Sequence, residues 1–103
     1  MTNHTTTSFK LTDHAIIRSA QRGITQDQIA LALDYGVVTH LQGFRFITLR
    51  GKDIPPWVDP HALGRAKNIV VVTPHNTPGL VVTVYKNKNA PKRIKRKSRR
   101  ILC

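Results

Sequence analysis

Three side chains near the N-terminus have the types and spacing needed to bind and transform a phosphodiester. His14, Arg18 and Arg22 follow one another at intervals of four positions, so on an α-helix they share one side within an arc of about 80°. An Arg guanidinium can hold a phosphate through two parallel hydrogen bonds and stays charged at every physiological pH. A His imidazole can move a proton near neutral pH. Together they indicate acid–base chemistry at a bound phosphate.

Cleavage of RNA without a metal needs three chemical functions that this set could supply. They are a base for the 2′-hydroxyl, an acid for the leaving oxygen, and fixed positive charge for the pentavalent phosphorane. The same spacing is also typical of a solvated cationic helix face that carries an incidental His. We expect the opposite side of the helix to be its buried face, formed by Ile16, Ile17 and Ala20.

Two hydroxyl-bearing side chains near the end of the last predicted strand form a second candidate element. Side chains alternate across a strand, so Thr83 and Tyr85 share one face. A hydroxyl can position a phosphate, and a Tyr can stack on a base or donate a proton. Both residues are also simply good strand formers. The alternation predicts that Leu80, Val82 and Val84 pack on the helices and that Val81 lies on the displayed face.

Capping residues define two short helices that form a helical hairpin. A Thr before a helix satisfies free backbone amides, and a Gly after it suits the left-handed position that ends the helix. A Thr followed three positions later by Gln has the spacing of a capping box. The first helix covers about residues 13–22 between Thr12 and Gly23, and the second starts at Thr25 and Gln28, runs through Tyr35 and is closed by Gly36.

Four β-prone runs follow the helices. The first two flank Gln42-Gly43, a hairpin signal. Residues 51–67 are rich in Pro and Gly and predict an irregular loop, which Trp57 is expected to pin to the body. Short connections favour an α+β fold with two N-terminal helices on one face of a four-stranded, mostly antiparallel sheet. The predicted strands are Val37–Leu41, Phe44–Leu49, Asn68–Thr73 and Leu80–Tyr85.

Positive charge is concentrated at the C-terminus. The chain has 17 Lys and Arg against five Asp and no Glu, a net charge of +12. Met1–Tyr85 carries eight cations and all five Asp, whereas Lys86–Cys103 carries nine cations and no acid. This predicts one domain over 1–88 and a basic tail over 89–103 that binds a polyanion with steep salt dependence. A solubilising tail, or one that docks on acidic lipid or an acidic partner, is the alternative. The cations assigned to RNA binding are Arg45, Lys86, Lys88, Lys92, Arg93, Lys95 and Arg96.

Several classes of protein are disfavoured by what the sequence lacks. Cys103 is the single cysteine, so no intramolecular disulfide can form. The N-terminus is not a secretory signal, and no apolar run reaches the ~20 residues that span a bilayer. We therefore expect a cytoplasmic protein with no membrane partner. No zinc-ligand spacing, two-metal carboxylate cluster or nucleotide-binding loop occurs, so we expect no cofactor and no metal. The remaining histidines, His4, His40, His61 and His75, receive lower priority, and His40 is assigned a structural role.

The segments HAIIRSAQRGIT, QIALAL and VVTVYKN resemble the domain-of-unknown-function family 4258. That family is grouped with the barnase–EndoU–colicin–RelE superfamily of metal-independent ribonucleases, and the likeness spans about residues 9–88. The resemblance implies a RelE/barnase-like fold. It also implies that the site residues are His14, Arg18, Arg22, Thr83 and Tyr85. One departure is Gln21, because the family tends to place an acidic residue before its Arg-Gly pair.

Three functions are compatible with these observations. The first, which the resemblance implies, is a toxin-type endoribonuclease that cuts mRNA, either free or bound to the ribosome, and is neutralised by an antitoxin protein. The second is a non-catalytic RNA- or DNA-binding module that uses the same basic face and tail. The third is an interaction protein whose cationic tail docks on an acidic partner.

Overall fold

The computed structural model describes residues 8–58 and 68–87 and shows an α+β arrangement of two helices and a four-stranded antiparallel sheet. This architecture confirms the predicted fold class. The sheet order is β2-β3-β4-β6, and a short additional pair is formed by β1 and β5. The elements are β1 (Lys10–Leu11), α1 (Asp13–Arg22), α2 (Gln26–Tyr35), β2 (Val37–Leu41), β3 (Phe44–Leu49), a 3₁₀ turn (Gly51–Asp53), β4 (Ile69–Pro74), β5 (Leu80–Val81) and β6 (Thr83–Lys86).

Both helices begin and end at the predicted capping residues. The Thr12 hydroxyl accepts a hydrogen bond from the Ala15 amide at 3.1 Å, and Gly23 ends α1 with a left-handed φ of 67°. The capping box is complete in α2, because Thr25 and Gln28 each accept a hydrogen bond from the other's backbone amide, at 3.0 and 3.1 Å. These bonds satisfy amides that a helix start leaves without partners. Local sequence therefore determines the helix boundaries.

The core lies between the helices and the sheet. α1 packs against β6, and α2 packs against β3 and β4. Cross-strand neighbours Ile47, Val71 and Val84 face the helices and are almost fully buried. A smaller cluster on the other face of the sheet contains Val70 and Val72, with the partly buried Tyr85 against it. The two clusters make the sheet apolar on both faces.

The predicted last strand is interrupted at Val82. Two consecutive residues oppose Val72, because the Val82 amide donates to the Val72 carbonyl while Thr83 is paired with Val72 in the register. Such a β-bulge breaks the alternation of side chains. As a result Val81 and Val84 are both in the helix-side core, whereas Val82 packs in the second cluster. The predicted grouping of Leu80, Val82 and Val84 on one strand face is therefore wrong. The part of the prediction that holds is that Thr83 and Tyr85 lie on the other strand face from Val84.

Strand β1 was not predicted, and it covers the outer edge of β5. It pairs in parallel with β5, with Lys10 opposite Leu80 and Leu11 opposite Val81. Two residues are too few to produce a recognisable pattern in the sequence. The pairing matters for the rest of the fold, because α1 begins two residues after Leu11.

The loop after β3 is only partly irregular. Arg50 and Asp53 form a two-pronged ion pair across the 3₁₀ turn, with both nitrogen–oxygen distances at 2.8 Å. The hydrogen bonds from Arg50 lower the pKa of the Asp53 carboxyl. Trp57 is 76% exposed, so the expectation that it pins this loop to the body is wrong. Residues 59–67 lie outside the described part of the chain.

Gly36 is required for close packing and not for a left-handed backbone. Its φ is −73°, but an added Cβ would lie 2.5 Å from the Ala32 carbonyl oxygen and 2.6 Å from Ile47 Cγ2. We expect Gly36→Ala to lower the free energy of unfolding by about 1–3 kcal/mol, as overpacking does, measured by urea denaturation. At Gly79 an added Cβ would meet an ordinary 3.4 Å contact, so Gly79→Ala is the matched control. Equal stability of the two variants would contradict this account.

Candidate nucleic-acid interface

A groove of about 330 Å³ lies between helix α1 and strand β6, at the edge of the sheet. The helix contributes two guanidinium groups, and the strand contributes an ammonium group and two hydroxyls. Acidic residues are absent from this lining. The lining residues are Arg18, Arg22, Thr83, Val84, Tyr85 and Lys86.

The rotation of α1 about its axis places the arginines next to the strand. Ala15 is fully buried, and its small side chain lets the helix approach β6 closely. Ile16 and Ile17 are 52% and 55% exposed, and Ala20 is exposed as well. The predicted buried face of Ile16, Ile17 and Ala20 is therefore wrong, because this face points to solvent in the described structure.

The start of α1 is anchored to the bulge, which explains this rotation. The Thr12 amide donates to the Val81 carbonyl at 3.0 Å, and the Thr12 hydroxyl donates to the Val82 carbonyl at 3.2 Å. Helix positions 15, 18, 19 and 22 lie on one side at 100° per residue. Once Thr12 is bound to the strand, this side faces β6, and hydrophobicity alone could not have indicated it.

The groove is cationic, and no acidic residue among those that the structure describes neutralises its charges. Arg18 is half-buried, whereas Arg22 and Lys86 are exposed. Within residues 8–58 and 68–87, a single salt bridge is found, between Arg50 and Asp53. In this part of the chain the groove cations therefore have no carboxylate partner. Three clustered cations without acids attract a polyvalent anion such as phosphate.

Tyr85 adds a hydrogen-bond donor to this charge. Its phenol is half-buried, and burial raises its pKa above the ordinary value of 10.0, so the hydroxyl stays protonated at neutral pH. The Thr83 hydroxyl lies on the same strand face two residues earlier. The groove therefore combines fixed positive charge with two neutral O–H groups.

His14 is exposed on α1 but does not line the groove. It lies one helical turn before Arg18, about 6 Å along the axis. The structure thus brings together four of the five residues predicted for catalysis and leaves the imidazole outside. Lys86, predicted as an RNA-binding residue, joins the four.

The other predicted RNA contacts are distributed differently. Arg45 is half-buried on β3, opposite His40 and Thr73, and lies outside the groove. His40 and His75, to which the sequence assigned low priority, have ring centroids 5.3 Å apart. The pairing of β2 with β3 is what brings them together. The remaining predicted RNA contacts fall outside the described residues, and so does the tail 89–103. These contacts are Lys88, Lys92, Arg93, Lys95 and Arg96.

The described residues provide neither a membrane-spanning helix nor a cluster of metal ligands. No helix among them is long and apolar enough to cross a membrane. They also contain no group of three or more His, Cys, Asp or Glu that could hold a metal ion.

The class defined by the fold and site is a small α+β protein with a cationic groove beside an edge strand. No protein-family model, curated protein or solved structure matches the chain. The conclusions about function therefore depend on the groove and on the sequence resemblance.

Proposed function

We propose that the protein is a metal-independent endoribonuclease of the toxin type that cleaves RNA by attack of the 2′-hydroxyl. The observation that carries this proposal is that Arg18, Arg22 and Lys86 line one groove together with Thr83 and Tyr85. Such a site suits the backbone of single-stranded RNA, which presents a phosphate and an adjacent base.

The groove residues, and His14 from outside the groove, have distinct roles in this reaction. A base removes the 2′-hydroxyl proton, the 2′-oxygen attacks phosphorus, the bond from phosphorus to the 5′-oxygen breaks, and that oxygen takes up a proton. Arg18 and Arg22 bind the phosphate and stabilise the extra negative charge of the phosphorane. Tyr85 is protonated and is assigned as the acid, Thr83 positions the phosphate, and His14 is assigned as the base.

The resemblance to family 4258 supports the same reaction. It alone suggests two partners, which are ribosome-bound mRNA and a neutralising antitoxin protein, and it alone suggests action in the cytoplasm. The tail 89–103, with seven cations and no acid, strengthens the case for a nucleic-acid substrate.

A non-catalytic RNA- or DNA-binding module is the second candidate. The position of His14 favours it, because this imidazole does not line the groove. In that case the groove and tail bind the phosphate backbone and no proton is transferred.

Cleavage in the presence of EDTA separates the two candidates. We expect the full chain to cut single-stranded RNA and leave a 2′,3′-cyclic phosphate, detected by mass spectrometry. His14→Ala should lower the single-turnover rate by about 10²-fold, in the range for a lost general acid–base. His40→Ala removes another exposed His outside the groove and should leave the rate unchanged.

One result would count against the nuclease, and another against the role of His14. If RNA binds but is never cut, the binding module is the function. If His14→Ala cuts as fast as the unmodified protein, the imidazole is not the base, and the assignment of His14 is wrong even though the groove remains.

A further inference from the structure

A second groove, of about 430 Å³, lies at the tip of the hairpin formed by β2 and β3. It is distinct in position from the cationic groove, and the two share no lining residue. Its main polar groups are two imidazoles, whose planes are inclined by 71° with centroids 5.3 Å apart. The lining residues are His40, Leu41, Gln42, Gly43, Phe44 and His75.

Backbone pairing holds the two imidazoles next to each other. His40 lies in β2 opposite Arg45, and the turn that follows has positive φ at Gln42 and Gly43, 51° and 83°. The His75 amide donates a hydrogen bond of 2.8 Å to the Gly43 carbonyl. Both histidines are exposed, so burial of the rings does not explain their proximity.

The two rings contact each other edge to face, and their spacing is compatible with two imidazoles bound to one metal ion once each exposed ring turns a nitrogen toward the ion. A zinc–nitrogen bond is about 2.0–2.1 Å long, and each ring centre lies about 1.2 Å behind its nitrogen, so tetrahedral ligation separates the centroids by roughly 5 Å. The observed 5.3 Å agrees with this value. We propose that His40 and His75 form a binding site for a divalent transition metal ion of the kind that imidazole prefers, namely Cu²⁺, Ni²⁺ or Zn²⁺.

The site supplies two ligands and is open. Because the two imidazoles are the ligands that this site supplies, a bound ion would keep water in its other coordination positions. Arg45 lies opposite His40 in the hairpin. Its positive charge repels cations, which disfavours ions such as Mg²⁺ and Ca²⁺ that proteins bind mainly through electrostatic attraction. The site therefore selects by ligand type, with Cu²⁺ bound more tightly than Zn²⁺ and no measurable binding of Mg²⁺ or Ca²⁺. This inference does not depend on the nuclease proposal.

Calorimetric titration of the full chain with NiCl₂ and with ZnCl₂ tests the site. The protein carries Cys103→Ser, because a thiolate also binds these ions. We expect one ion per chain and an affinity at least about 10-fold lower in His40→Ala and in His75→Ala. His14→Ala, which removes an exposed His elsewhere, should bind like the parent.

The proton NMR line widths of the histidine rings give a second, residue-specific measurement. Substoichiometric Ni²⁺ should broaden the signals of His40 and His75 and leave that of His14 sharp. The proposal is overturned if His40→Ala or His75→Ala binds as tightly as the parent, or if His14→Ala loses affinity to the same extent.

Discussion

Replacing Arg18 with Ala is expected to lower the rate of RNA cleavage by about 100-fold or more. Arg18 is half-buried beside β6 and lines the cationic groove with Arg22. Removal of one donor aimed at a developing negative charge costs about 10²–10³ in rate. Arg22→Ala should act in the same direction. The measurement is single-turnover cleavage of end-labelled RNA in EDTA, with circular dichroism to verify the fold.

Two variants separate a specific site from general charge. Lys52→Ala removes one cation from an exposed position outside the groove, so it changes net charge equally but should change the rate less than about 3-fold. Arg18→Lys keeps the charge but loses the two-pronged hydrogen bond to phosphate. Its cleavage rate should lie between the rate of the unmodified protein and that of Arg18→Ala. If Lys52→Ala were as damaging as Arg18→Ala, charge alone would explain the loss and the groove would not be the active site.

Removal of residues 88–103 is expected to weaken RNA binding most of all at low salt. This segment carries eight cations and no acid, and strand β6 ends before it, at Lys86. Each phosphate contact contributes about 0.7 to the slope of log affinity against log salt for single strands. If all eight engage phosphates, the slope should therefore become shallower by about 5.6. Fluorescence anisotropy between 50 and 300 mM KCl measures it.

The control for chain length is a full-length variant in which all eight cations of residues 88–103 are replaced by Gln. It should behave like the truncated protein, because the expected effect is electrostatic. An unchanged salt slope in both variants would show that the tail does not contact the nucleic acid. Cleavage by the truncated protein at saturating concentration should persist, since the groove is intact.

Helix boundaries and the hairpin could be predicted because their signals are local. A capping bond joins residues three positions apart, as in Thr12 with Ala15 and Thr25 with Gln28. The Gln42-Gly43 turn adopts positive φ at both residues, and Gly43 accommodates this backbone because it has no Cβ. The fold class follows from the order of these elements. The grouping of Thr83 with Tyr85 on one face was also correct, because both residues follow the bulge.

The tertiary structure alone decided how α1 is rotated about its axis and which distant residues become neighbours. Ile16 and Ile17 face solvent because Thr12 is bonded to Val81 and Val82, which are about 70 positions away, and this anchor points Arg18 at β6. The bulge at Val82 and the meeting of His40 with His75 likewise depend on strand pairing. Sequence periodicity reports the hydrophobic side of an isolated helix, whereas hydrogen bonds between distant segments fix the side that is actually covered.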